Sequence, residues 1–248
     1  MNYLETLFSL KGKTAIITGG SKGIGAEIAL AFLNAGANIV CVSRSNLAKK
    51  KEINKFYKQC DITIAKEFNA ICEYTISRYD NIDILVNAAG VSLPANKSLS
   101  NIDRFKKTLD INLTSLYQCC DIASRHMNNG GSILNITSIG SIMGFPNNPG
   151  YISSKGGVKM LTKSLAIDLS TNGIRVNNIA PGYIKTDMTK DSYENKQMHQ
   201  ERINRMIINR WGEVTDIIGA AIFLASDSSS YITGSEIVID GGWTAKGI

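Results

Sequence analysis

Three groups of residues in this chain have the types and the spacing to do chemistry. The first is Thr18-Gly19-Gly20-Ser21-Lys22-Gly23-Ile24-Gly25, which follows directly on an apolar run at 14–18. Glycines so spaced let a backbone turn tightly and approach a pyrophosphate, whose charge then rests at a helix N-terminus. The spacing is G-x3-G-x-G, which an ordinary tight loop could also use. Its place between a strand pattern and a helical pattern, early in the chain, is the context a dinucleotide turn requires. The second group closes the next apolar run as Val42-Ser43-Arg44. Dinucleotide folds often put an acid here for the ribose 2′-hydroxyl, whereas a cation suits a 2′-phosphate. No acid is present; Ser43 and Arg44 stand there, with Lys22 in the glycine loop. Arginine can grip a phosphate through two parallel bonds and lysine acts as a point charge. This reads as NADP(H), unless Arg44 merely faces water. The third group is Ser138, Tyr151 and Lys155. Tyr151 and Lys155 lie four apart in a helical pattern and share a face. A Tyr-x-x-x-Lys pair alone recurs by chance, so its meaning depends on Ser138. Ser138 comes just after the apolar run at 132–136, and a residue past a strand's carboxyl end faces the crevice of an open α/β sheet.

The elements that must position these groups follow a single rhythm. Strand-like runs occur at 14–18, 38–42, 84–87, 132–136, 175–179 and 235–239, with a weaker one at 56–60. Each is short, β-branched and continuous rather than alternating, which suits strands buried on both faces of a parallel sheet. Helical patterns lie between them. In the first, Ile24, Ile28, Ala31 and Phe32 fall on one face, and Gly36 sits where the helix should end. Alternating βα units imply a doubly wound parallel sheet with right-handed crossovers and helices on both faces. The length of 248 residues fits one such domain, 1–248, better than two small ones.

Composition narrows the classes of function. Hydrophobic residues make up 44% and charged residues 19%, which excludes a disordered or fibrous protein. No apolar run approaches the ~20 residues of a membrane span, and the opening MNYLETLFSL does not read as a secretion signal. The five cysteines form no C-x-x-C pair and there are two histidines, so neither a disulfide framework nor a metal site is expected. A cytoplasmic setting is the simplest expectation. The net charge of +6 is concentrated at 44–58, where Arg44, Lys49, Lys50, Lys51, Lys55 and Lys58 face one acid, Glu52. A nucleic-acid or membrane binder would carry several basic faces or an arm. One short basic segment reads either as a solvated helix face or as the seat of one local anionic ligand group.

Six motifs in order now carry a resemblance: TGGSKGIG at 18–25, NAAG at 87–90, Asn112 in DINLTS, Ser138, YISSK at 151–155 and PGYIKT at 181–186. Over nearly its whole length the chain resembles the short-chain dehydrogenase/reductases. The resemblance implies a seven-stranded Rossmann-type domain. It implies Tyr151 as general acid/base, Ser138 as the holder of the substrate oxygen, and Asn112 as support for a water-linked proton path. Lys155 would bind the nicotinamide ribose and lower the Tyr151 pKa. Asp61 and Ile62 match positions that hold adenine, and Asn87, Ala88 and Gly90 would lie along the cofactor. Ile184 and Thr186, after Pro181-Gly182, would hold the carboxamide. The chemistry is coherent: a ketone receiving hydride gains charge on oxygen and needs a donor and then a proton. A free phenol, with pKa about 10, would need a nearby cation to cycle near neutrality. Two departures stand out. NAAG replaces the commoner NNAG, and only 16 residues separate Arg44 from Asp61, so the adenosine-side wall is trimmed.

Two substrate classes compete. The 3-oxoacyl-(acyl-carrier-protein) reductases resemble the chain, including FLASDSSSYITG at 223–234. Their acidic carrier docks on basic residues at positions that here are Asn128, Asn129 and Asn172. The LFSLKGK lead at 7–13, NRWG at 209–212 and DGGW at 240–243 resemble gluconate 5-dehydrogenases and related keto-sugar-acid enzymes. A polar substrate lid near 187–210 offers donors to a hydroxylated substrate, although such residues could equally face water. His199 in this lid could touch substrate but reads more readily as a solvent histidine. A protein that binds NADP(H) without catalysis stays open as a third class. Relatives pair the helices around 102–128 and 151–172 across a twofold axis. Here those helices carry Leu113, Leu116, Ile122, Met160, Leu161 and Leu165 beyond a single stripe, and a homotetramer is expected.

Overall fold

The structure is a computed structural model that describes residues 3–45, 50–93, 99–128 and 130–246. Lys49 of the basic segment and Asn129 of the carrier-docking positions lie outside the described residues. Seven strands form one parallel sheet: β1 (Thr14–Thr18), β2 (Asn38–Ser43), β3 (Tyr57–Gln59), β4 (Ile84–Asn87), β5 (Gly131–Ile136), β6 (Ile174–Pro181) and β7 (Glu236–Ile239). Their order is β3-β2-β1-β4-β5-β6-β7, so the direction of winding reverses between β1 and β4. Every residue of β1 and β4 is buried, as a sheet covered on both faces requires. The seven runs read from the sequence are these strands, displaced by at most two residues at an end.

The helices are α1 (Tyr3–Phe8), α2 (Gly23–Asn34), α3 (Ala65–Tyr79), α4 (Asn101–Leu109), α5 (Ser115–Ser124), α6 (Pro149–Asp168), α7 (Lys190–Glu194), α8 (Lys196–Arg205) and α9 (Ile218–Ala225). One core layer joins the sheet to α2 and α9 through Ile28, Phe32, Ile39, Ala221 and Leu224. The other joins it to α3, α5 and α6 through Phe68, Cys72, Leu116, Cys119, Val158 and Leu165. Ile28 and Phe32 are fully buried as the spacing requires. Gly36, at φ +93°, ends α2 in a conformation that side chains disfavour. All five cysteines are buried and unpaired, and burial pushes the Cys41, Cys60, Cys72 and Cys120 thiols up to about 12. No described helix is long and apolar enough to cross a membrane.

One open choice is narrowed and one expectation needs correction. The basic segment does not turn toward one ligand as a group. Lys50 pairs with Glu27 at 2.9 Å, Lys55 lies over Phe56, and Lys58 lies over Tyr74. Only Arg44 of its described cations reaches the cleft. The apolar surplus on α4–α6 is also smaller than the pattern suggests. Leu116, Ile122 and Leu165 are buried within the chain, and Leu113 and Leu161 pack partly against the same core. What stays exposed is Met160 at 61% and Ile167 at 74%, with Ile102 and Tyr117.

Candidate active site

A cleft of about 310 Å³ opens at the carboxyl ends of the strands, beside the reversal between β1 and β4. Its wall at one end is the glycine loop. Gly19 has φ +69°, and a Cβ there would stand 2.7 Å from the Ala89 nitrogen. A Cβ on Gly25 would stand 2.5 Å from the Gly19 carbonyl oxygen. Only bare backbone lets this loop pass so close to Ala88 and Ala89. Ser21, Lys22, Gly23 and Ile24 continue the wall into the first turn of α2, which no side chain caps. Its open amides and macrodipole suit an anion.

Ser43 and Arg44 line the far corner, and here the short 44–61 segment matters. A 3-10 stretch, Lys51–Phe56, leads straight into β3, which brings the Tyr57 hydroxyl onto that of Ser43. Tyr57 Oη also donates to the Ser45 carbonyl at 2.9 Å. Gln59 holds the Arg44 carbonyl at 3.0 Å. Sequence reasoning missed Tyr57 and Gln59; the shortened spacing was the signal that β3 would be drawn in. Lys22 is not free in this state, since its ammonium pairs with Asp187 at 3.1 Å. Both partners are half-exposed, and such a pair contributes at most ~1 kcal/mol. Asp61 and Ile62 lie on the adjoining wall, with Asp61 Oδ1 accepting from the Thr63 amide and hydroxyl.

The other end holds the third group. Ser138 follows β5 in extended backbone, and its Oγ accepts from the Gly140 amide at 3.0 Å. Burial raises the Tyr151 pKa and the facing Ser138 hydroxyl lowers it, with a net rise. Lys155 is 5% exposed, donates to the Ile136 carbonyl at 2.7 Å, and stands 5.7 Å from the Tyr151 ring centroid. Burial brings its own pKa down to about 8. The expected lowering of the Tyr151 pKa by Lys155 is therefore not found in this state. The low-polarity surroundings dominate both groups, and one ammonium hydrogen is given to a carbonyl.

Asn87 also departs from expectation, and Asn112 is held by backbone beside the cleft. Asn112 lies in a π-helical turn, Asp110–Thr114, between α4 and α5 and is fully buried. Its carboxamide accepts from the Val91 amide and donates to the Val91 carbonyl, both at 2.8 Å, and donates to Ser154 Oγ at 3.2 Å. It clamps the turn after β4 to the helix of Tyr151 and Lys155 and does not line the cleft. Gly90 fits between: a Cβ there would stand 3.3 Å from Asn112 Oδ1 and 3.7 Å from Lys155 Nζ. Asn87 turns into the sheet, donating to Asn135 Oδ1 at 2.9 Å and to Cys120 Sγ at 3.2 Å. Ala88 and Gly90 line the cleft as expected, as do Pro181, Gly182, Ile184 and Thr186 from the end of β6.

A family model described as "Enoyl-(Acyl carrier protein) reductase" matches residues 19–244. A Bacillus subtilis protein named 2-dehydro-3-deoxy-D-gluconate 5-dehydrogenase is 38% identical over 99% of this chain and 100% of its own. The chain belongs to the short-chain dehydrogenase/reductase family. As a member it is an oxidoreductase. A Chlamydia trachomatis 3-oxoacyl-(acyl-carrier-protein) reductase is 34% identical over 94% of this chain and 98% of its own. The crystal structure of a Burkholderia cenocepacia gluconate 5-dehydrogenase, in complex with NADP and tartrate, superposes with a TM-score of 0.91 at 31% identity, covering 98% of this chain and 99% of that one.

In this short-chain dehydrogenase/reductase the segment 187–210 is built from α7 and α8, neither of which buries a residue fully. It rests on an aromatic cluster. Tyr183 packs against Trp211, Trp243 and Phe145 at 5.5, 4.7 and 6.3 Å between ring centroids. His199 stacks on Trp211 at 5.9 Å, and its Nδ1 meets the Tyr193 carbonyl at 3.1 Å. It is a packing residue rather than the solvent histidine expected. The two tryptophans, from NRWG and DGGW, act as anchors that the motif reading did not foresee.

Proposed function

We propose that the chain is an NADP(H)-dependent oxidoreductase that interconverts a ketone and a secondary alcohol on a sugar acid or a related polyhydroxy acid. The observation that carries this reading is the gathering of Ser138, Tyr151 and Lys155 at one end of a cleft whose other end holds the glycine loop and Arg44. The cleft fits the cofactor: its walls close in at Gly19 and Gly25 only as far as bare backbone allows, and Arg44 supplies a fork for a 2′-phosphate. The names of the Bacillus subtilis relative and of the Burkholderia cenocepacia neighbour support the substrate class.

When bound, NADPH supplies the hydride. Ser138 Oγ accepts from the Gly140 amide, so its own hydrogen remains for the substrate oxygen. Tyr151 delivers the proton as charge builds on that oxygen, and its raised pKa keeps it protonated for the task. Lys155 keeps two ammonium hydrogens beyond the one given to Ile136; they hold the ribose and return a proton toward Tyr151. In the reverse direction the same ammonium favours the phenolate. Asn112 acts as a positioning residue. The segment 187–210 closes over the substrate, and Ile184 and Thr186 hold the carboxamide. The exposed Met160, Ile167, Ile102 and Tyr117 are offered to other copies of the chain in a homotetramer, which a monomeric mass in light scattering would exclude.

The 3-oxoacyl reductase reading is less favoured because Asn128 and Asn172, both exposed, give an acidic carrier no cation to dock on. The test is an activity screen with NADPH and NADH against keto sugar acids, neutral ketoses and a 3-oxoacyl thioester. Fastest turnover of a keto sugar acid is expected. Preference for the thioester, or no NADPH oxidation with any ketone, would overturn the reading.

A further inference from the structure

Beside the cleft, next to its lining residues Gly182 and Ile184, two guanidinium groups on α8 are not used by the reaction chemistry. Arg202 and Arg205 stand one turn apart on α8. The Arg202 guanidinium lies 4.8 Å over the Tyr183 ring and 5.9 Å from that of Trp243; Arg205 lies 5.7 Å over Trp243. Among the described residues neither has a carboxylate partner. Arg202 Nε is buried with no hydrogen-bond partner, and so is the indole Nε1 of Trp211, whose ring packs on Tyr183. Asp240, close to Trp243 in sequence, spends its oxygens inside its own turn on Gly242 and Thr244. Buried donors without acceptors are rare and costly, and two such donors on groups that both pack on Tyr183 favour an acceptor there, from water or a ligand.

The place of this cluster says where the acceptor would come from. Tyr183 follows Pro181 and Gly182, which line the cleft. Tyr183, Phe145 and Trp243 pack with Ile139, the residue after Ser138. A side chain on Gly140 would meet both Phe145 and Ser138 Oγ. The aromatic cluster therefore reaches from Ile139, next to Ser138, to the two cations. Stacking on a ring occupies the face of a guanidinium and leaves its N–H edge open, the edge that grips a carboxylate in a fork.

We propose that Arg202, with Arg205 and the Tyr183–Trp243 wall, is the specificity-determining site that receives the carboxylate of the substrate. This rests on the reading of the chain as a dehydrogenase of a polyhydroxy acid and assigns that acid's charged end to named residues. The test uses the full-length protein loaded with NADPH, titrated calorimetrically with D-gluconate and with sorbitol, in wild type, Arg202→Met and Arg202→Lys. Steady-state reduction of 5-keto-D-gluconate and of L-sorbose is compared alongside. Wild type should bind gluconate and discriminate against sorbitol. Arg202→Met should weaken gluconate binding at least tenfold, and its ratio of kcat/KM for the keto acid over the ketose should fall at least tenfold, through KM. Arg202→Lys should lie between, since it keeps charge and loses the fork; it carries the test if the Met variant fails to fold. An Arg202→Met or Arg202→Lys variant that keeps wild-type gluconate affinity and the wild-type ratio overturns the assignment alone. A wild type that reduces neutral ketones or a thioester, yet neither binds gluconate nor reduces the keto acid, overturns the functional reading and the assignment together.

Discussion

The floor of the cleft and the α7–α8 segment beside it, its proposed roof, are built by opposite means. On the floor, Ser138 and Lys155 are buried, with Asn112 clamped behind them, and each is tied to backbone within 3.0 Å. On the roof, α7 and α8 bury no residue fully and are held by ring contacts to Tyr183, Trp211 and Trp243. In the proposed reaction, polar groups so fixed would serve the proton and hydride steps, which are intolerant of displacement. A loosely packed polar segment on an aromatic bed can accept a substrate and release it. The chemistry and the choice of substrate are thus separable by mutation, and the following measurements would sharpen or break that division.

The largest effect is expected on the floor. Tyr151→Phe removes the proton donor and little else. Turnover should fall by about 10²–10⁴-fold, the usual worth of a general acid, while NADPH affinity, read by fluorescence titration, stays within a few-fold. Lost NADPH affinity with turnover retained would refute the assignment.

On the roof, Trp211→Ala removes a fully buried ring that touches Tyr183, Tyr193 and His199. A loss of about 3–5 kcal/mol is typical of such a truncation. KM for substrate should rise more than kcat falls, because the roof loosens and the floor does not. A thermal melt and steady-state kinetics check both parts; an unchanged melting temperature would contradict the anchor role.

Lys155→Met sets stability against function. Burial holds the Lys155 pKa at about 8, below the ordinary 10.5, so folding disfavours its proton. Between pH 8 and 10.5 the unfolded chain binds more protons at this site than the folded one, so stability from this group rises with pH across that window. Below pH 8 the penalty is full, on the order of 3 kcal/mol at ~1.4 kcal/mol per pKa unit. The Met variant should therefore be inactive yet more stable at pH 7, with its advantage shrinking toward pH 10.5 in denaturant titrations at several pH values. A variant less stable at pH 7 would show that the bond to Ile136 outweighs the burial cost.

The smallest effect is expected at the cofactor's far corner. Arg44→Ala should reduce the preference for NADPH over NADH by roughly tenfold to several-hundredfold, since charge-assisted bonds contribute about 1.5–3 kcal/mol each. The comparison is kcat/KM with each cofactor. A full NADPH preference in Arg44→Ala would move the selectivity elsewhere, with Tyr57 and Ser43 the adjacent candidates.

The amino-acid sequence by itself determined the seven strands, their burial, the glycine loop and the meeting of Ser138, Tyr151 and Lys155. These follow from local pattern: continuous β-branched runs, a glycine spacing, and two residues one helical turn apart. Only the tertiary structure decided what depends on partners far along the chain. Asn112 is named in the sequence through the DINLTS motif alone, and Val91 and Ser154 make it a clamp. Asn87 reads as a cleft residue, and Asn135 and Cys120 draw it inward. Tyr57 reaches Ser43 because the strand pairing sets Cys41 beside Tyr57. The Tyr151 pKa goes up rather than down because burial, a property of the whole fold, outweighs the Ser138 hydroxyl that faces it. Arg202 and Trp243, 41 positions apart, become one site through packing that no local pattern encodes.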